Sequence, residues 1–282
     1  MEYWLLLGLL LLLVSYLYIQ NNVFKLTTYD LNLQKMHPQL KGKKVVFFSD
    51  THFRARNSHT FFDRLLSDIE AQEPDLILFG GDVVHASANE LGVEHAKDFF
   101  FQIGKMAPCY VVYGNHDIKS SRVNELNTIL KITGVNVLNN EATWISFGPA
   151  SAGFWLMGLA EYESSLQIKE DVLSKIKIPI EDVKAPKILL AHYPQYFEKY
   201  LVNEKKRPDL VLSGHAHGGQ VILPIIGGLF APGQGINPSY DFGLFTSKKY
   251  PASRLILTRG VGNSTFPFRV NNRPEIVIIK LS

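Results

Sequence analysis

Five short polar segments of this chain carry residue types able to hold metal ions. They are Asp50-Thr-His52, Gly81-Asp82, Gly114-Asn-His-Asp117, His192 and Gly214-His-Ala-His217. Five of the nine histidines fall inside them. Carboxylate, imidazole and amide donors suit Mn²⁺, Fe or Zn²⁺ better than ions that seek thiolates. A carboxylate can also bridge two cations about 4 Å apart, the spacing used in two-metal phosphoester chemistry. Each segment alone says little. A single Asp beyond a strand is more often a helix cap than a ligand, and an isolated histidine is more often a satisfied one. The set, in this order, is what carries the reading.

The elements around the segments decide whether they can meet. Val45–Phe48, Leu76–Phe79, Tyr110–Tyr113, Ile188–His192 and Leu210–Ser213 read as short apolar strands. Each segment begins at or just beyond the end of one of them. Helical spacing runs through Phe61, Phe62, Leu65, Leu66 and Ile69, and helices are expected around 89–101 and 121–132. The second half is richer in strands, near 135–138, 143–146, 154–157, 255–258 and 276–279, with a polar helix near 164–175. Residues 224–251 are rich in Gly and Pro and read as a long loop. Strand–helix alternation followed by more strands predicts an α/β fold: two stacked mixed sheets with helices outside. Ligands of open α/β sheets bind at the carboxyl ends of the strands, so these loops are expected to converge on one crevice.

On these motifs the sequence resembles the calcineurin-like metallophosphoesterase superfamily over roughly 43–282. His217-Gly-Gly-Gln220 and the segment from Arg259 to Glu275 resemble its bacterial branch of membrane-associated phosphodiesterases. The resemblance implies a four-layer αββα sandwich and a dinuclear metal centre. Asp50, His52 and His217 would hold one divalent ion (Mn, Zn or Fe). Asn115, His192 and His215 would hold the second, and Asp82 would bridge them. A metal-activated hydroxide would then attack phosphorus. His116 would stabilise the transition state or protonate the leaving oxygen, and Asp117 either orients His116 or serves as a turn or helix cap. Arg259 and Asn263 follow a strand and are candidates to face substrate, because an Arg fork suits phosphate; surface or structural pairing is the alternative. Tyr240 and Phe242 either line an apolar pocket or pack in the core. Protein Ser/Thr phosphatases of the superfamily carry an Arg shortly after the bridging Asp, and purple acid phosphatases a Tyr three residues after it. Here the stretch is Asp82-Val-Val-His85, which disfavours both.

The chain has 282 residues, 46% hydrophobic and 20% charged, with 29 Lys+Arg against 26 Asp+Glu. A formal net charge of +3 lacks the dense basic face of a strong nucleic-acid binder. The single cysteine, Cys109, lies in an apolar run and reads as a small buried hydrophobe. Residues 3–19 are uncharged and leucine-rich, about 25 Å long as a helix, with Trp4, Tyr16 and Tyr18 near the ends as interface aromatics. The expected division is a membrane anchor over 1–22, a tether over 23–42 and a catalytic domain over 43–282. Cations appear only on the carboxyl side of the apolar run. A single-pass anchor with a cytoplasm-facing domain is therefore expected, with an extracytoplasmic domain as the alternative. The leading expectation is a hydrolase of phosphodiesters or pyrophosphates, with a lipid-linked or nucleotide-sugar substrate suited to the anchor. A metal-dependent nuclease is the alternative within enzymes. A non-catalytic metal-binding scaffold is the alternative outside them, but such members lose ligands that are all present here.

Overall fold

The computed structural model describes residues 2–33, 36–55, 58–149, 151–160, 171–179, 184–263 and 265–282. Helix α1 (Glu2–Asn22) leads into β1 (Lys25–Leu31), β2 (Lys44–Phe48), α2 (His59–Glu70), β3 (Leu76–Phe79), α3 (Glu90–Met106) and β4 (Cys109–Val111). There follow α4 (Asn115–Lys119), α5 (Val123–Ile132), β5 (Asn136–Val137), β6 (Glu141–Ser146), β7 (Gly153–Gly158), β8 (Lys187–Leu190), α6 (Phe197–Tyr200) and β9 (Leu210–Ser213). The chain closes with two small hairpins, β10–β11 (Ile222–Leu223, Gly227–Gly228) and β12–β13 (Phe230–Ala231, Gly235–Ile236), then β14 (Gly243–Thr246), β15 (Arg254–Leu257) and β16 (Glu275–Leu281).

Among the described residues the longer strands make two six-stranded mixed sheets, ordered β1-β16-β2-β3-β4-β5 and β14-β15-β9-β8-β7-β6. In the first, β2 to β5 are parallel and β16 runs against β2. In the second, β15, β9, β8 and β7 are parallel, with β14 and β6 antiparallel at the edges. The inner strands β2, β3, β8, β9 and β16 are largely apolar because both faces are covered. On β2, Val46 and Phe48 join the core under α2, α3 and α5, while Val45 and Phe47 join the core between the sheets. On β8 and β9 the alternation repeats: Ile188, Leu190, Leu210 and Leu212 face the first sheet, and Leu189 and Val211 face outward onto Phe197 and Tyr200. Helix α3 buries Val93, Ala96, Phe100 and Ile103, one stripe at helical spacing.

The expected tether is not one. Lys25–Leu31 pairs residue by residue with Glu275–Leu281 as the edge strand of the first sheet, and Leu31 and Leu33 are buried in the inter-sheet core. Its pattern KLTTYDL alternates in burial, which the tether reading overlooked. Of the polar helix expected near 164–175, residues 164–170 lie outside the described residues and Val172–Lys175 form a turn. The expected long loop, 224–251, contains β11 to β14. Helix α1 has exposed apolar side chains along most of its length, and Tyr3–Asn22 is long and apolar enough to cross a membrane. Cys109 is buried, as its apolar run suggests.

Candidate metal centre

The polar segments leave the carboxyl ends of five strands. Asp50 and His52 follow β2, Asp82 follows β3, Asn115 follows β4, His192 follows β8, and His215 and His217 follow β9. Asp50, His52, Asp82, His215 and His217 all have left-handed backbone, with φ of 59°, 47°, 58°, 71° and 48°. Such conformations cost non-glycine residues about 1–3 kcal/mol each and persist only where the surroundings fix them. Here neighbouring backbone does so. Asp50 N–H donates to Gly81 O at 2.9 Å, His52 N–H to Asp82 O at 3.1 Å, and Val261 N–H to Ser49 O at 3.0 Å. Close approach also demands glycine. A Cβ on Gly81, at φ 97°, would lie 2.7 Å from His192 Nδ1 and 2.8 Å from Gly114 N, and one on Gly114 would strike the Asp82 carboxylate.

The side chains meet. Asp50, His52 and His217 offer donor atoms within 4.8 Å of one another, as do Asp82, His192 and His215, and His52, Asp82 and His116. Asp82 Oδ2 lies 3.3 Å from His192 Nε2 and 3.6 Å from His52 Nε2, so one carboxylate oxygen faces both groups. His217 Nε2 is 3.6 Å from Asp50 Oδ1. Asp50 accepts from His215 N–H at 3.1 Å and from the Ser49 hydroxyl. His192 Nδ1 donates to Gly80 O at 2.8 Å, which leaves Nε2 as the lone-pair nitrogen turned to Asp82.

This donor set fits cations. His52 Nε2 and His217 Nε2 stand 3.1 Å apart, close to the ligand–ligand edge of an ion with Nε2 donors about 2.1 Å away. Asn115 Oδ1 is buried without a hydrogen-bond partner, a costly state for an amide oxygen that a cation would relieve. Burial holds the His52 and His217 imidazoles well below their usual pKa, and takes His215 down to about 3. They are therefore neutral, as ligation requires. Burial also pushes the Asp82 carboxyl up, but the neighbouring His192 holds it well below the ordinary range. Asp50 is pushed up to about 6, chiefly by burial.

His116 sits beside this group, its ring 4.6 Å from that of His52. Its backbone N–H donates to Asp82 Oδ1 at 2.7 Å, and Ala86 N–H donates to its Nδ1 at 3.1 Å. Nδ1 is thus an acceptor, and the neutral ring carries its proton on Nε2. Burial lowers its pKa. The His85 ring lies 4.6 Å beyond it.

Two residues take the structural alternative that the sequence left open. The contacts of the Asp117 carboxylate are to backbone rather than to the His116 imidazole: it accepts from Val83 N–H (3.1 Å), Val84 N–H (2.9 Å) and Gly114 N–H (2.9 Å). It pins the β3 and β4 loops together, the capping alternative. Arg259 lies 4.0 Å over the Phe242 ring, its Nε 3.7 Å from Glu275 Oε1, which is structural pairing rather than a fork held out to substrate. Tyr240 packs against Phe197 and Phe245. Asn263 accepts from Arg269 Nε and donates to Asn21 Oδ1. Sequence reasoning missed Asn272, which is buried and donates to His217 O at 2.7 Å and Gln220 O at 3.1 Å. It also missed Arg269, buried and donating to Arg259 O and Gly262 O. An Asn and an Arg in a loop carry no signal by type alone.

The description "Calcineurin-like phosphoesterase" matches residues 43–219, which span all five polar segments. The chain belongs to this family. It is a metallophosphoesterase, a metal-binding phosphoric ester hydrolase. Phosphodiesterase YaeI of Escherichia coli is 32% identical over 241 residues, covering 84% of this chain and 82% of that protein. The uncharacterized metallophosphoesterase YkuE of Bacillus subtilis is 26% identical, covering 94% and 87%. A transmembrane protein with metallophosphoesterase domain from Danio rerio is 26% identical, covering 91% of this chain and 57% of that protein. With such relatives, the exposed apolar α1 of this phosphoesterase indicates membrane association.

Proposed function

We propose that this chain hydrolyses phosphodiester or pyrophosphate bonds at two divalent cations, Mn²⁺, Zn²⁺ or Fe. Asp50, His52 and His217 hold one, Asn115, His192 and His215 the other, and Asp82 bridges them. The observation that carries this reading is the Asp82 Oδ2 atom, 3.3 Å from His192 Nε2 and 3.6 Å from His52 Nε2. The cations supply Lewis acidity toward phosphoryl oxygens and lower the pKa of water for attack near neutral pH.

The protein's own groups do the rest. His192 is turned by its bond to Gly80 O so that Nε2 faces inward. The His215 N–H bonds fix the Asp50 carboxylate. His116 carries its proton on Nε2 because Ala86 N–H occupies Nδ1, and it donates that proton to the leaving oxygen. A positioned general acid contributes roughly 10²–10⁴-fold. Helix α1 anchors the enzyme in a single pass. The lysines after it, Lys25, Lys41, Lys43 and Lys44, favour a cytoplasmic catalytic domain. A lipid-linked or nucleotide-sugar phosphoester suits that location.

The test uses the full chain in detergent, stripped by chelation and resupplied with Mn²⁺, Zn²⁺ or Mg²⁺. The substrates are a chromogenic phosphodiester and the matching monoester. Metal-restored diester cleavage that disappears in Asp82→Asn and Asn115→Ala is expected. Full activity in a folded, metal-loaded Asp82→Asn enzyme refutes the bridging role, and cleavage of the monoester alone refutes the diesterase reading.

A further inference from the structure

The registers of the first sheet fix where α1 joins the domain. Strand β16 pairs Val277 with Phe47 of β2, and β1 pairs Lys25 with Glu275. The start of β1 therefore lies at the same end of the sheet as Ser49 and Asp50. Helix α1 enters on the side of the metal centre.

It also docks there. Tyr16 Oη donates to Asn271 Oδ1 at 2.7 Å, Arg269 N–H donates to Asn21 Oδ1 at 3.0 Å, and Asn272 N–H donates to Gln20 Oε1 at 2.9 Å. The loop that receives α1 is the one whose Asn272 holds the carbonyl of His217. That loop is tied to the segment after His217 by a bridge between Val221 and Val270 and by Asn271 Nδ2 donating to Ile222 O at 3.2 Å.

Both loops have an unusual surface. Residues 220–240 and 260–268 contain no Asp, Glu, Lys or Arg. Ile225, Ile226, Phe230 and Ile236 on the first, and Phe266 and Phe268 on the second, are exposed large apolar side chains. An uncharged, apolar surface of this kind marks an interaction site. Its neighbour settles the occupant: the helix bonded to these loops is itself of membrane-spanning length and apolar outside.

We propose that loops 220–240 and 265–268 form a rim that seats in the bilayer holding α1, so that the metal centre opens onto the lipid headgroups. The proposal rests on reading α1 as an anchor and the site as a phosphoesterase centre, and it deepens both. Aromatic and aliphatic side chains on such a rim enter the headgroup–acyl boundary. The bonds from Tyr16, Gln20 and Asn21 then hold the domain at a fixed tilt instead of letting it swing.

The test uses the full chain in phosphatidylcholine–phosphatidylglycerol vesicles. Single cysteines replace Ile226, Phe268 or Glu70, and each carries an environment-sensitive fluorophore; Cys109 is buried and escapes labelling. Glu70 is exposed at the far end of α2, away from the strand ends that carry the site. Quenching is compared between doxyl-labelled lipid and iodide present on both sides of the membrane. Labels at Ile226→Cys and Phe268→Cys are expected to be quenched severalfold more by the lipid than the label at Glu70→Cys, with iodide showing the reverse order. Iodide quenching at 226 and 268 equal to that at 70 overturns the proposal. Protection of both rim positions from both quenchers also overturns it, because a protein then covers the rim. Neither readout needs metal or turnover, so failure here is distinct from failure of the phosphoesterase reading.

Discussion

Asp117→Asn separates two roles for a buried carboxylate. In the structure Oδ2 accepts from Val83 N–H and Gly114 N–H, and Oδ1 accepts from Val84 N–H. An asparagine keeps one oxygen. If that oxygen faces Val83 and Gly114, the NH₂ group confronts the Val84 N–H, leaving a buried donor unmet. A lost hydrogen bond to a charged group is worth about 1.5–3 kcal/mol. The two that remain fall from charge-assisted to neutral, at roughly half their strength. The expected cost is about 3–5 kcal/mol. For a chain of this size each kcal/mol lowers Tm by roughly 2–4 °C, so a drop of about 6 °C or more is expected. The assay is thermal unfolding of the metal-loaded protein by near-ultraviolet circular dichroism at pH 8. Burial and Asp82 push the Asp117 carboxyl up to about 7, so at pH 8 the wild type is ionised. A variant within 2 °C of wild type would refute the pinning role. A shifted pH–rate profile with unchanged Tm would restore the reading in which Asp117 orients His116.

His116→Ala is expected to lower kcat by roughly 10²–10⁴-fold with metal stoichiometry unchanged by elemental analysis; loss of a metal would make His116 a ligand instead. Gly81→Ala places a Cβ 2.7 Å from His192 Nδ1 at φ 97°. Displacing that support is expected to weaken metal affinity about 10–100-fold, measured by competition with a chromophoric chelator; wild-type affinity would show that the Gly80–His192 contact does not tune the site. For the chelated protein, His52, His215 and His217 have depressed pKa values, so the unfolded chain gains their protons first as pH falls from 6.5 toward the value of about 3 for His215. Asp50 and Asp117, raised to about 6 and about 7, act oppositely, since the folded state keeps their protons longer. With His116, also lowered by burial, four imidazoles outnumber the two carboxyls, so urea stability is expected to rise from pH 5 to pH 7. A fall over that window would mean the carboxyls dominate.

The sequence showed the centre so clearly because it follows the strands. Apolar runs such as Val45–Phe48 and Leu76–Phe79 need no partner to be read, since both faces of each strand are buried. The polar residue after each run then stands out. Lys25–Leu31 was hidden by the same logic: an edge strand with exposed Leu26 and alternating polar residues looks like a linker. Its identity depends on β16, roughly 250 residues later, and no local pattern conveys that pairing. Asp117 was visible but its role was not. A carboxylate that follows a candidate catalytic histidine is the same four letters whether it bonds an imidazole or the backbone of another loop. The position of α1 over the site belongs to the same class, because it follows from two sheet registers that the sequence does not express.

A centre assembled from five strand ends has a physical consequence for the fold. The donors run from Asp50 to His217, so no single loop can hold an ion alone. Several of them occupy left-handed backbone, which is uncommon for any non-glycine residue, although Asp and His adopt it more readily than most. Buried carboxylates face buried imidazoles, and an orphaned amide oxygen adds to the cost. In the proposed assignment cations would offset these terms together, because each ion would meet donors from both sheets. Metal binding at such a site is therefore coupled to folding. The same ions that polarise a phosphoester would join the β2–β3–β4 half of the domain to the β8–β9 half.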